Sequence, residues 1–288
     1  MKKLMLGNEA VARGAYEAGV TVATAYPGTP STEITENIAR YDEIYAEWSP
    51  NEKVAMEVAY GAAVAGARSI VSMKHVGLNV AADPLFSAAY AGVNGGMVIV
   101  VADDPAMHSS QNEQDSRYYA VSAHVPMLEP SDSEEAKEFV KEAFALSEKY
   151  DTPVFLRTTT RLAHSQSFVE LCDRADVSVK KYEKDITKYT LMPSTAKIRH
   201  IAVEKRENEL KREIENSPLN FIYEGDKKIG VVTSGVVYQY VREALPDASV
   251  FKLGCVYPLP VEKIRKFAES VGKLIVVEEL EPVIENAL

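Results

Sequence analysis

Met97-Val98-Ile99-Val100-Val101-Ala102 is a continuously apolar run ending at Asp103-Asp104-Pro105. A strand that is apolar on both sides is covered on both sides, so this run predicts the central strand of a parallel sheet held between two helical layers. The pattern around it agrees. Upstream, the spacing predicts a helix over 8–18, a strand over 20–26, a break at Pro27-Gly28-Thr29-Pro30-Ser31 and a helix from Pro30 to about Arg40. A short strand at 44–48, a helix over 50–66, a strand Ser69–Lys74 and a helix over 78–91 follow. Downstream come a helix over 133–149 and a strand Val154–Thr158. Strands and helices in alternation mean an α/β protein with an open, doubly wound, mainly parallel sheet.

Regularity fades over 160–190. Met192–Asn216 then reads as a long, charged connecting helix, after which a second α/β unit begins. Its strands are Lys228–Ser234, Ser249–Leu253 and Lys273–Val277, with helices near 236–245 and 260–270. The expected division is a first α/β domain over 1–165, a linker over 166–225 and a second α/β domain over 226–288. Leu288 falls in mid-pattern, so the second domain is expected to be incomplete in this chain.

Bulk properties narrow the function. A net charge of −10 argues against nucleic acid, which demands a basic face. The densest basic stretch, Lys197 to Arg212, is interleaved with Glu204, Glu207 and Glu209 and reads as a solvated helix surface. Cys172 and Cys255 are the only cysteines, too few and too far apart for an iron–sulfur or structural metal site within the chain. Sparse cysteine favours a reducing compartment. No signal peptide or membrane-length apolar run is visible, so the expected location is the cytoplasm.

In open parallel sheets, ligands bind beyond the carboxyl ends of the strands. Four loops leave strands at that edge: Tyr26–Pro30, Trp48–Glu52, Lys74–Asn79, and Asp103 to Gln114. Each has two readings. Ser49-x-x-Glu52 is a capping box with Pro50 at the first helical position, yet Glu52 is also a carboxylate at the mouth of a helix whose packing face is small. Thr29 either caps the helix opened by Pro30 or meets a ligand. Lys74 and His75, directly after an apolar strand, are a surface pair or ligand contacts. Asp103-Asp104-Pro105 reads as a turn, and the polar run 108–114 as either a lid or a contact surface. No Walker A loop, G-x-G-x-x-G fingerprint or nucleophile elbow is present.

Three strings together carry a resemblance: Tyr26-Pro27-Gly28-Thr29-Pro30-Ser31, Asn51-Glu52 with Ala55, Ala59, Gly61 and Gly66, and Met73-Lys74-His75-Val76-Gly77-Leu78-Asn79. They resemble the pyrimidine-binding domain of thiamine-dependent 2-oxoacid:ferredoxin oxidoreductases, and within it the indolepyruvate-type alpha subunits. Leu128-Glu129-Pro130-Ser131-Asp132 is similar to the same subunits, and 228–277, with Gly254-Cys255-Val256-Tyr257-Pro258-Leu259-Pro260, to their transketolase C-terminal-like domain.

The resemblance implies a role for each candidate. Glu52 would hold N1′ of the aminopyrimidine of thiamine diphosphate, favouring the imino form that deprotonates the thiazolium. Gly28 would lie on the cofactor side, and Thr29, Lys74, His75 and Asn79 on the substrate side. The implied reaction is oxidative decarboxylation of aryl 2-oxoacids such as indolepyruvate to acyl-CoA, with ferredoxin as electron acceptor. The family's Gly-Asp-Gly motif for diphosphate and magnesium is not in these residues, and neither is its cysteine-rich segment. Magnesium and [4Fe-4S] clusters are therefore expected in another chain or domain, alongside a small beta subunit. Two other readings remain: a component of a split non-oxidative 2-oxoacid decarboxylase, and a non-catalytic assembly module.

Overall fold

The computed structural model describes residues 1–288. Seven strands form the main sheet, in the order Cys255–Tyr257, Met127–Leu128, Val154–Thr159, Met97–Asp103, Ser69–Lys74, Val22–Ala25, Tyr45–Trp48. All neighbours are parallel except Cys255–Tyr257, which runs antiparallel to Met127–Leu128. The apolar run is central, with Ser69 opposite Met97 on one side and Val98 opposite Val154 on the other. Its side chains alternate between two cores. Met97, Ile99 and Val101 enter one layer, while Val98 and Val100 enter the other. This alternation is why the strand has no polar face.

A second sheet has four strands: Lys273–Val277, Asp226–Ser234, Ala248–Leu253 and, antiparallel at the edge, Phe221–Tyr223. Val232, Phe251, Leu253 and Phe267 of this unit share one core cluster with Met56, Val71 and Phe155 of the first. The two units are therefore one packed body, with Cys255–Tyr257 sewn into the main sheet.

Several local expectations need correction. The segment 160–190 contains a strand, Gln166–Glu170, paired antiparallel with Lys2–Leu6. Neither was expected, because each is short and its stability comes from the other. The helix expected over 78–91 is two, His75–Val80 and Ala82–Ala91, so Lys74–Asn79 is a strand–helix junction and no loop. The helix expected over 50–66 spans Glu52–Val64.

The charged helix Pro193–Glu215 is packed rather than merely connecting. It buries Val203, Arg206, Leu210 and Ile214. Arg206 donates to the carbonyls of Ala89 (2.7 Å) and Asp151 (3.0 Å), and Arg199 to those of Tyr90 (2.9 Å) and Ala91 (3.2 Å). Cations thus complete the carbonyl end of the helix Ala82–Ala91. No helix is long and apolar enough to cross a membrane.

Candidate functional site

The carboxyl edge of the main sheet is presented by Trp48, Ala25, Lys74, Asp103 and Thr159, in spatial order. At Glu52 the structure separates the two readings of the helix start. The cap is Asn51, whose Oδ1 accepts from the Val54 amide at 2.9 Å. Ser49 takes no part in the cap; its amide donates to the Ala25 carbonyl. Glu52 is the first helical residue, at the positive end of the helix dipole. Its carboxylate enters no hydrogen bond or ion pair of the chain and lies against Gly77, whose missing Cβ would stand 2.4 Å from Oε1.

The small face of this helix packs on the chain's own sheet. Ala55, Ala59 and Ala63 let the helix sit close to the sheet, so that Thr24 Oγ1 donates to the Ala55 carbonyl and Ser69 Oγ to that of Ala59, both at 2.8 Å. Met56 is buried on the same side. The face is filled by the chain's own strands, which leaves Glu52 as the helix's chemistry-bearing group.

Thr29 is exposed and caps nothing. The helix beyond it spans Thr32–Ile38, and its entry is built by Ser31 Oγ donating to the Gly28 carbonyl and the Gly28 amide donating to Thr32 Oγ1. A Cβ on Gly28 would touch Lys74 Cβ at 3.2 Å, so these two candidates are neighbours. Lys74 is buried, and its Nζ donates to the Ser109 carbonyl at 2.5 Å. His75 is buried, with neither ring nitrogen partnered. Asn79 is exposed and accepts from the Tyr119 hydroxyl at 2.6 Å.

Thr29 lines a polar cavity of about 680 Å³ between the carboxyl edges of the two sheets. Ser109, Thr160, Arg161, His164 and Tyr240 share its wall, with Glu279 from the far sheet. Glu52 and Asn79 do not line it, so the candidates divide between this cavity and the Glu52–Gly77 contact, with Lys74 adjoining the first. Thr160, Arg161 and His164 belong to the cavity without being part of any recognised motif. The signal was available, since Thr158-Thr159-Thr160-Arg161 also breaks an apolar strand into polar residues. Tyr240 and Glu279 gave no such signal, because only packing of the second unit brings them here.

A buried charge network joins the two units. Arg157 Nε donates to Asp103 Oδ2 (2.7 Å) and Nη1 to Glu129 Oε1 (2.5 Å), while Ser234 Oγ donates to Glu129 Oε2 (3.1 Å) from the second unit. Burial lowers the Arg157 pKa, but Glu129 and Asp103 outweigh it and raise the value above the ordinary one. Burial pushes the Asp103 carboxyl up, with Arg157 opposing. Asp103 is thus more than a turn residue, and it also accepts from the Ser116 amide at 3.1 Å, at the start of the helix Arg117–Ala123. Arg117, bonded to Asp115, donates onward to Glu278 (2.6 Å) and to the Glu279 and Glu281 carbonyls (2.8 Å each).

Asp104 organises the polar run. It accepts from the Ser109 amide (2.7 Å), Ser110 Oγ (2.6 Å) and Thr160 Oγ1 (2.6 Å). Burial acts to raise its pKa, but these donors and Lys74 hold it at about 2. The start of the run, Ser109-Ser110, is therefore tied to the sheet edge.

Comparison with known proteins fits this arrangement. Residues 13–217 match the family described as pyruvate flavodoxin/ferredoxin oxidoreductase, thiamine-diphosphate-binding. The chain is 46% identical, over 99% of its length, to the indolepyruvate oxidoreductase subunit IorA of Archaeoglobus fulgidus, of which it covers 48%. It is 47% identical to the protein of the same name from Methanothermobacter thermautotrophicus, again covering 48% of it. It thus spans about half the length of these curated relatives. A solved structure of 2-oxoglutarate:ferredoxin oxidoreductase from Magnetococcus marinus superposes with a TM-score of 0.80 at 19% identity, covering 96% of this chain and 57% of that one. That likeness confirms the fold. The chain belongs to the thiamine-diphosphate-binding family of the pyruvate flavodoxin/ferredoxin oxidoreductases.

Proposed function

We propose that this chain is the part of an indolepyruvate:ferredoxin oxidoreductase that holds the pyrimidine half of thiamine diphosphate. The enzyme it serves would oxidise aryl 2-oxoacids to acyl-CoA in the cytoplasm, passing electrons to ferredoxin. The single observation that carries this reading is Glu52: a carboxylate released from capping duty by Asn51, without a partner in the chain, against the bare backbone of Gly77. A carboxylate so placed fits the pyrimidine end of the cofactor.

When bound, thiamine diphosphate supplies a thiazolium that acts as the electron sink for decarboxylation of a 2-oxoacid. Glu52 would share a proton with N1′ and so set the tautomer of the ring. Gly28, packed on Lys74, keeps the loop before Thr29 close to the sheet edge. Thr29, with Arg161 and His164 across the cavity, supplies donors for the carboxylate of the substrate. Lys74 holds the Ser109 segment at the cavity wall, and the buried His75 follows it directly in the chain. Asn79, bonded to Tyr119, stands on the outer side and offers its amide NH₂ to the substrate.

We assign the domains as a pyrimidine-binding type over 1–165, a connecting segment over 166–225 that packs on its neighbours through Gln166–Glu170, Pro193–Glu215 and Phe221–Tyr223, and a transketolase C-terminal-like unit over 226–288. Magnesium, the diphosphate site and [4Fe-4S] clusters would come from another domain or chain, with a small beta subunit completing the enzyme.

The test compares Glu52→Gln with Asn51→Ala in the assembled enzyme. Loss of a proton-holding group lowers turnover by about 10²- to 10⁴-fold, so Glu52→Gln should do so with little change in Tm. Asn51→Ala removes the cap, costs about 1 kcal/mol of stability and should keep most of its turnover. Parallel losses of Tm and turnover in both variants would reduce Glu52 to a helix-start residue. Thiamine-dependent decarboxylation without ferredoxin reduction would instead favour the split decarboxylase.

A further inference from the structure

We propose that the face built from residues 179–202 docks an acidic surface of another polypeptide of the oxidoreductase, an inference resting on the functional reading above. This segment runs along the amino-terminal edge of the main sheet, away from Glu52. The Ala175 amide donates to the Glu17 carbonyl, that of Lys180 to Gly66, each at 2.9 Å, and Lys188 Nζ to the Val93 carbonyl at 2.7 Å. The strap is firmly attached, so what it displays is a fixed surface.

What it displays is out of keeping with a solvated helix. At about 100° per residue, Ile198, Ile201 and Lys205 point opposite to the buried Val203, Arg206, Leu210 and Ile214. Ile198 is 62% exposed and Ile201 68%, and Met192 and Ile186 of the same segment are exposed as well. Apolar side chains collected on the outer side of a surface helix mark an interaction site.

The charge tells which partner fits. Residues 179–202 hold six basic side chains against two acidic ones, in a chain whose net charge is −10. Lys180, Lys188 and Arg199 are committed inward, to Asn94, Asp151 and the Tyr90 carbonyl. The side chains of Lys181, Lys184 and Lys197 have no partner in the chain and belong to the same segment as the exposed isoleucines. Two copies meeting through this face would oppose like charges, so the complement is an acidic surface on a different polypeptide. The relatives described above are named as subunits, which makes another subunit the occupant proposed here.

The experiment is lysine acetylation read by mass spectrometry, on the isolated chain and on the assembled enzyme. Lys181, Lys184 and Lys197 should lose reactivity by about fivefold or more on assembly, as expected for rim charges covered by a partner, while Lys227 keeps its rate. The triple variant K181E/K184E/K197E should keep the Tm of the isolated chain and weaken assembly by about tenfold or more. Unchanged reactivity in an assembled enzyme that still turns over would overturn the proposal and leave the functional reading intact. Protection in the isolated chain at high concentration would assign the face to a second copy. Protection by phosphatidylglycerol vesicles alone would assign it to a membrane, and either result defeats the proposal. Protection in an assembly that does not oxidise 2-oxoacids would keep the docking face and fail the functional reading.

Discussion

Glu52 rests on the bare Cα of Gly77, with room for no side chain between them: a Cβ there would lie 2.4 Å from Oε1 and 2.6 Å from Cγ. The contact joins two helix starts at the sheet edge, one following Tyr45–Trp48 and one following Ser69–Lys74.

Gly77→Ala should therefore act on Glu52. Overpacking a tight contact costs about 1–3 kcal/mol, and the carboxylate must move to relieve it. Turnover of the assembled enzyme should fall about as far as in Glu52→Gln. The double variant should be no worse than Glu52→Gln alone, because both changes remove the same interaction. Additive losses in that cycle would show that Gly77 serves something other than Glu52.

Arg157 has the opposite character, being buried and paired within the chain. It neutralises Asp103 and Glu129 at the junction of the two sheets. Removing one partner of a buried ion pair costs about 3–5 kcal/mol, so Arg157→Leu should lower unfolding free energy by that amount in urea. The simultaneous change Arg157→Leu, Asp103→Asn, Glu129→Gln should recover part of it, since no bare charge is left. A loss below about 1 kcal/mol for Arg157→Leu would mean the network is open to water.

Asp104 makes a pH prediction. Its pKa falls from the usual 3.8 to about 2 in the folded chain, so its carboxylate favours the fold when ionised. That contribution is complete above about pH 4 and disappears as pH falls through 3.8 towards 2. The stability gap between the native chain and Asp104→Asn should be widest near pH 6 and narrower at pH 3, with amide exchange at Ser109 changing in parallel. A gap that does not vary with pH would remove the carboxylate from this role.

Much of the fold was legible because hydrophobic periodicity is local. Val98 and Ile99 announce opposite, equally buried faces without reference to any partner. The strands Lys2–Leu6 and Gln166–Glu170 were not legible, since each is held by the other across more than 150 residues of chain. The helix start at Glu52 was misread by two residues: Ser49-x-x-Glu52 and Asn51-x-x-Val54 are both acceptable caps by spacing, and only the Ser49 amide bonded to Ala25 removes the first.

The sequence alone determined the parallel α/β architecture and the edge at which the chemistry lies, because strand burial and loop composition follow from residue type. It also determined that Glu52 stands at a helix mouth. Only the tertiary structure decided which residue caps that helix, and that Gly77 leaves Glu52 its place. The cavity at Thr29 likewise waited for Tyr240 and Glu279 to arrive from the second sheet. These depend on packing between segments far apart in the chain, where neither spacing nor composition carries a distance.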